Sequence, residues 1–417
     1  MTAGAKRLLG LPFAAVVGGA LLWLVADRLV APATAPFPGH GERFAAMAQA
    51  PLQFAGAFPH RVLWPLLARG ASAFGCGPVA FSHLCNGLLI AVAFFVARAR
   101  VGRIVDALLV AAAVACSGGV LVYQSMACFS DPLNLALLLL AAHFAARPAV
   151  FWPLVLLGAL SHELTFFFGP WLYWLRLQNG GGVVRDGVAG VLVVAAYAGW
   201  RRFVDAQAPP GGYDASYYVA NNFWAPWLLP ALWALWLLVV VVEFGPLLAL
   251  LPAAARRGAA AMGGRVGLLL FALGVLPLMV FAYDVMRFAA LAAVPVALAA
   301  GDLLRAGGAR ARVAVAGLAA AAAATYVWQH PVAAQQGGAV FTRVSADVLQ
   351  LAAPHVRPGE PMACEPAMAM SRELLARHAG VAAAVVVACV ACVALGALVA
   401  RYTGSASAAG SDPRTQR

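Results

Sequence analysis

Ala149–Leu175 reads AVFWPLVLLGALSHELTFFFGPWLYWL, and how it is parsed fixes the topology of everything after it. Only Ser161-His162-Glu163 interrupts the apolar run, and two adjacent titratable side chains cannot face lipid cheaply. The stretch is one long helix broken by that tripeptide, or two short helices that meet at it. With two helices, Arg256, Arg257, Arg265, Arg305, Arg310 and Arg312 fall on the same side as Lys6, Arg7, Arg98, Arg100, Arg103, Arg147, Arg176 and Arg185. With one helix they fall on the opposite side, against the positive-inside bias of short loops. The two-helix reading is preferred. Counting Arg401, Arg414 and Arg417, it places 17 of the 28 Lys and Arg residues on what becomes the cytoplasmic side.

The rest of the chain repeats the pattern. Apolar residues make up 63% of the chain, charged residues 11%, and the mean hydropathy is +0.85, against roughly 45–50% and 25% in soluble domains. Leu8–Val30, Ala231–Leu251 and Ala379–Ala400 each supply the roughly 20 apolar residues that cross about 30 Å of hydrocarbon. The remaining expected spans are Pro78–Ala97, Ile104–Val122, Pro132–Ala146, Ala149–Leu160, Leu164–Leu175, Gly187–Trp200, Val266–Tyr283, Phe288–Leu304 and Val313–Trp328, with the second long run starting at Pro226. The fold class expected is an all-α integral membrane protein of about twelve transmembrane helices, ten to thirteen by these signals, with both termini in the cytoplasm of a bacterial-type inner membrane.

Residues 1–328 form the membrane body, 329–378 a small extracytoplasmic segment, 379–400 the last crossing, and 401–417 a Ser/Ala/Gly-rich tail expected to be disordered. Within the body, the outer loop 31–77 carries apolar residues at Phe44, Met47, Leu63, Leu66 and Leu67 that fit amphipathic helices lying along the interface. Lys6-Arg7 before an apolar run also resembles a signal peptide with Ala33-Thr34-Ala35 as a cleavage site, but a run reaching Val30 is long for a signal h-region of about 7–15 residues. The net charge of +12 sits in short loops beside apolar spans, so topology and anionic lipid account for it and nucleic acid is not an expected partner. Cys389 and Cys392 lie in a membrane span and read as small packing residues; Cys76, Cys128 and Cys364 face the outer side, where one disulfide is conceivable.

Chemistry is expected at the outer face, where this topology collects Glu42, His60, Arg61, Asp131, His162, Glu163, Arg201, Arg202, Asp205, Asp214, Asp284, Arg287 and His330. Ionisable groups at membrane depth are costly, which makes the cluster a functional candidate. Ser161-His162-Glu163 could orient a substrate or proton acceptor, or cap the following helix. Arg201-Arg202 could bind phosphate through charge-assisted hydrogen bonds, or meet lipid headgroups. The aromatic run Tyr213, Tyr217, Tyr218, Phe223, Trp224 and Trp227 fits an interfacial belt as well as sugar stacking. Asp284 and Arg287 are spaced for a local ion pair, Asp131 before Pro132 for a helix cap, and Glu243 requires a partner inside the bundle.

Four stretches carry a family resemblance: Gly39–Ala50 with Glu42; His60-Arg61-Val62-Leu63-Trp64-Pro65-Leu66-Leu67-Ala68-Arg69; Ser130-Asp131-Pro132; and Leu160-Ser161-His162-Glu163. Together they resemble the polytopic GT-C-type glycosyltransferases over roughly the first 180 residues. The chain departs from that pattern in having one acid, Glu42, where many relatives have an acidic pair, and His162 in place of a basic residue. The resemblance implies transfer of a sugar from a polyprenyl-phosphate carrier to a glycan or lipid acceptor at the outer face. It implies Glu42 as the base, Asp131, His162 and Glu163 in acceptor or metal positioning, and His60, Arg61, Arg201, Arg202 and Arg287 around substrate and phosphate. A divalent metal is compatible with the carboxylates, although no spacing demands one. Two other classes stay open. Arg98-Ala99-Arg100-Val101-Gly102-Arg103 resembles a facilitator-type transporter loop without its acidic residue, and a non-catalytic membrane protein of envelope assembly would tolerate loss of every outer carboxylate.

Overall fold

The computed structural model describes residues 3–53, 58–207, 237, 239–281, 285–336, 350 and 364–408. Among them the chain is helical throughout, with no strand. In order these are α1 (Ala3–Leu29), α2 (His40–Gln49), α3 (Leu63–Ser72), α4 (Pro78–Val101), α5 (Ile104–Ala115), α6 (Gly118–Ser125), α7 (Asp131–His143), α8 (Pro148–Ser161), α9 (Gly169–Gln178) and α10 (Val183–Asp205). There follow α11 (Val239–Arg256), α12 (Gly264–Phe281), α13 (Val285–Ala289), α14 (Ala293–Gln336), α15 (Cys364–Arg377) and α16 (Ala379–Ala408).

Among the described residues, six helices are long and apolar enough to cross a membrane, and seven if α5 and α6, bent by 48° at Cys116-Ser117, act as one. Asp131–His143, Pro148–Ser161 and Gly264–Val275 are apolar but shorter. The protein is therefore an all-α, multi-pass membrane protein whose solvent is the bilayer. In an apolar eighteen-residue window of Arg287–Tyr326, 89% of the residues are buried inside the bundle, whereas in that of Ala379–Gly404 only 11% are, and this helix faces outward along most of its length.

Local sequence explains the breaks. α4 begins with Pro78 after an extended Gly77 and ends at Gly102, whose φ of 76° lets its N–H reach back to Arg98 O. The interrupted stretch divides at the expected tripeptide: α8 stops at Ser161, His162 is extended, and a 3-10 turn, Glu163–Phe168, leads into α9. The two spans expected at 288–304 and 313–328 run together in α14 across a kink at Gly308. α10 is longer than the expected Gly187–Trp200, and places Arg201, Arg202 and Asp205 on helix rather than loop.

Contacts sort the chain into two ends. At one end Arg312 Nε meets Asp106 Oδ1 at 2.5 Å, Ala261 N–H donates to Asp302 Oδ2 at 2.8 Å, and Arg100, Arg257 and Arg310 reach Ala142 O, Ala400 O and Tyr402 O. At the other, Trp200 Nε1 donates to His60 O at 3.0 Å and the segment after α1 is strapped on by Ala33 N–H to Gln124 O and Phe37 N–H to Ala127 O. Arg100, Arg257, Arg310 and Arg312 of the basic group thus lie at one end, and His60 with the segment that follows α1 at the other.

The interfacial helices differ from expectation in what they cover. Phe44, Met47 and Ala48 of α2 pack with Phe58, Trp64, Ala68, Cys85, Ala127, Cys128 and Leu133 into a small second core against the bundle. Only Leu66 and Leu67 of α3 are exposed in the way an interfacial face requires. Cys76, Cys128, Cys389 and Cys392 are free thiols; the Cys364 side chain lies outside the described residues.

Candidate functional site

The charged residues at the polar end come from four segments far apart in sequence. The turn before α3 supplies His60 and Arg61, the first residue of α7 is Asp131, the α8 junction brings His162 and Glu163, and α13 contributes Arg287. Arg61 grips Glu163 with two hydrogen bonds, one from Nε to Oε2 at 2.7 Å and one from Nη2 to Oε1. Arg287 donates to Asp131 Oδ2 from Nε at 3.2 Å and from Nη2 at 2.7 Å. His162 stands between the pairs: its Nδ1 is 3.6 Å from Glu163 Oε2, and its Nε2 is 3.9 Å from Asp131 Oδ1 and 3.4 Å from Arg287 Nη2. His60 Nε2 approaches Glu163 Oε2 at 3.8 Å.

The surrounding chain builds this geometry. Leu164 N–H donates to His162 Nδ1 at 3.2 Å, so the imidazole caps the 3-10 turn and turns its Nε2 edge toward Asp131. Asn134, one turn into α7, donates from Nδ2 to Gly158 O at 3.0 Å and to Thr165 Oγ1 at 2.8 Å, which fixes the Asp131 helix against the His162 junction. Gly158 is needed there, since a Cβ would lie 2.9 Å from Thr165 Oγ1. Phe58 and Phe129 lie under the two guanidiniums, 4.0 Å from Arg61 and 4.3 Å from Arg287, a placement that favours a cation in a dry site.

The side chains of His60, Arg61, His162, Asp131 and Arg287 are 3–6% exposed, whereas that of Glu163 is 26% exposed. Glu163 is thus the member of the network that water and a ligand reach. Burial pushes His60 down to about 4; Glu163 opposes the shift and Arg61 and Arg201 add to it. His60 is neutral at pH 7 and offers a lone pair beside a carboxylate.

The sequence-predicted residues divide clearly. Six of them, His60, Arg61, Asp131, His162, Glu163 and Arg287, are brought together. Arg201 borders them within electrostatic reach of His60, half-buried and with no ion pair or hydrogen bond among the described residues. Arg202, the next residue of the same helix, is exposed. Glu42 stands apart: it is exposed, and its Oε2 accepts from Gly39 N–H at 3.0 Å as the acid of a helix cap. Arg287 pairs with Asp131; Asp284, Asp214, the aromatic run 213–227 and the His330 side chain lie outside the described residues. Glu243 is buried in the bundle against Gly118, where a Cβ would come within 2.6 Å of Oε2, with Tyr326 in electrostatic reach.

Sequence reasoning passed over Asn134, whose lone amide in the apolar run of α7 was the readable signal, and Tyr197, four residues before Arg201 and 6% exposed. Among the described residues no three His, Cys, Asp or Glu side chains converge as a metal site. Comparison with family models, with curated proteins and with solved structures finds no match.

Proposed function

We propose that this chain is a membrane glycosyltransferase that crosses the bilayer about twelve times, the short apolar helices and both arms of α14 included. In this reading both termini lie in the cytoplasm of an inner membrane, and the polar end faces outward. A sugar is moved there from a polyprenyl-phosphate carrier to a glycan or lipid acceptor. The observation that supports it is the convergence of four remote segments on one buried network that opens to the surface only at Glu163.

Glycosyl transfer to a hydroxyl forms a bond from the acceptor oxygen to the anomeric carbon, breaks the bond to the carrier's phosphate oxygen, and releases the acceptor's proton. Glu163, reachable and held in place by Arg61, is the base in this arrangement. Neutral His60 is the next acceptor along. Arg201 and Arg202, neither engaged by a carboxylate in the described structure, are placed to meet the departing phosphate. Arg61 and Arg287 act by holding Glu163 and Asp131 in position. Divalent metal would have to bind through Glu163 and substrate oxygens.

A second reading is favoured by one feature: each carboxylate of the network already has its own arginine. A closed set of pairs is what a non-catalytic membrane protein would keep. Mass spectrometry of polyprenyl-linked sugars and envelope glycans in cells carrying wild type, a deletion or Glu163→Gln at matched protein level separates the two. Accumulation of one glycosylated lipid with loss of one glycan decoration in both mutants is expected; an unchanged profile in Glu163→Gln would remove the enzymatic reading.

A further inference from the structure

A second polar cluster lies where α1, α4 and α6 meet, apart from the charge network and unused by the proposed reaction. Gln124 and Asn86 are fully buried there. Gln124 Oε1 accepts from Trp23 Nε1 at 3.3 Å and from Asn86 Nδ2 at 3.1 Å, and His83 Nδ1 stands 3.3 Å from the same oxygen. The other ring nitrogen, Nε2, is 2.9 Å from Ala33 O.

Two of these groups have fixed roles. An indole N–H only donates and a backbone carbonyl only accepts. Trp23 therefore sets the Gln124 amide with its oxygen toward the ring, and Ala33 requires a hydrogen on Nε2. Both nitrogens of His83 then face acceptors, which a neutral imidazole, with one N–H, cannot satisfy and an imidazolium can.

The geometry assigns a proton-binding site to His83, with the doubly protonated ring bridging Ala33 O and Gln124 Oε1. When the Nδ1 proton leaves, its lone pair is set against Gln124 Oε1. The contact is restored if Gln124 turns its amide and donates from Nε2 to Nδ1, while Asn86 turns to present Oδ1 to the second Nε2 hydrogen. Among the described residues, Gln124 Nε2 and Asn86 Oδ1 are the two buried atoms of the cluster that have no partner in the present arrangement, so the turned arrangement employs them and leaves Trp23 without its acceptor. Proton occupancy at His83 is in this way read by helix α1.

The site also touches the outer segment. Ala33 is held on both sides, its N–H by Gln124 O at 2.7 Å and its carbonyl by His83. The groups facing His83 are neutral: Trp23 from α1, Gln124 from α6, Asn86 on α4 itself and the Ala33 carbonyl. Among the described residues, His83 makes no hydrogen bond or ion pair with a charged side chain; its partners are the Gln124 oxygen, the Ala33 carbonyl and the Trp23 ring.

Full-length protein in lipid nanodiscs, labelled with ¹⁵N at histidine rings and tryptophan indoles, tests the assignment across about pH 5 to 8, where histidine changes charge. The indole resonance removed by Trp23→Phe is expected to shift upfield as pH rises, with the midpoint of the ring that disappears in His83→Gln, and to stop titrating in that variant. A Trp23 indole that ignores pH, or that still titrates in His83→Gln, overturns the proposal. Should His83→Gln fail to fold, the wild type alone decides: the hydrogen lost on titration must be the Nδ1 one with Nε2–H kept, and loss of the Nε2 hydrogen instead overturns it.

Discussion

Arg176 with Asp186 at the basic end, and Arg61 with Glu163 at the polar end, are both arginine–carboxylate pairs inside an apolar bundle, yet they are finished differently. Asp186 Oδ1 accepts from Arg176 Nε and Trp152 Nε1; Oδ2 accepts from Arg176 Nη2, Gly182 N–H and Arg185 Nη2. Arg176 also donates to Ala145 O, and both side chains are 1% exposed. The partners lie ten residues apart, and Gly181 between them is held so close that a Cβ would come within 2.7 Å of Asp186 Oδ2. That pair is a local staple with every lone pair used. At the polar end the partners are over a hundred residues apart, Asp131 Oδ1 has no hydrogen bond among the described residues, and Glu163 reaches the surface. A finished pair serves the fold, and an unfinished one is available to a ligand.

Asp186→Asn tests the contrast most severely. It leaves Arg176 buried without a counter-charge, a loss of about 3–5 kcal/mol, read as a collapse of the unfolding midpoint in detergent. Glu163→Gln also removes the counter-charge of Arg61, but at a position that water reaches and with an amide oxygen still able to accept from the guanidinium, and should cost less, about 1–2 kcal/mol. The same change should lower sugar transfer by about a hundredfold or more, the usual worth of a positioned base. If the two variants lose stability equally, the ends do not differ as argued.

Much of this was legible in the residues. The alternation of basic and carboxylate-bearing breaks placed Arg312 with Asp106 and Arg61 with Glu163 at opposite ends, because charge at a short loop is forced to one side of the hydrocarbon. The break at Ser161-His162-Glu163 was readable because two titratable groups cannot continue a lipid-facing helix. Pairing was not readable. Asp131 meets Arg287 across 156 positions, a contact set by how α7 and α13 pack and signalled by no local spacing. Nor did sequence separate Glu42 from Glu163. A carboxylate three residues into a helix can cap it or do chemistry, and only the position of Gly39 N–H decides which.

The pH response sharpens the comparison at smaller amplitude. His60 sits at about 4 in the folded protein against about 6.5 unfolded, so the unfolded chain takes up a proton that the folded one refuses. Stability therefore rises with pH from about 4 to 6.5 and is lost as pH falls through that window, by on the order of 2–3 kcal/mol. Unfolding midpoints measured across that range should flatten in His60→Gln. An unchanged slope would mean that His60 is not excluded from water as the polar end requires.

Glu42→Gln should give the smallest effect, and it bears most directly on where the base lies. Its carboxylate accepts from Gly39 N–H at the start of α2, and the amide oxygen of Gln can accept the same hydrogen bond. What is lost is the charge at a helix N-terminus, worth about 0.3–1 kcal/mol at an exposed position. Transfer should stay near the wild-type rate while Glu163→Gln loses it. The reverse result, with Glu42→Gln inactive in the same assay and Glu163→Gln active, would return the base to the first outer helix. The network around His162 would then be a second staple, built from remote segments to hold the polar end together as Arg176 and Asp186 hold the other.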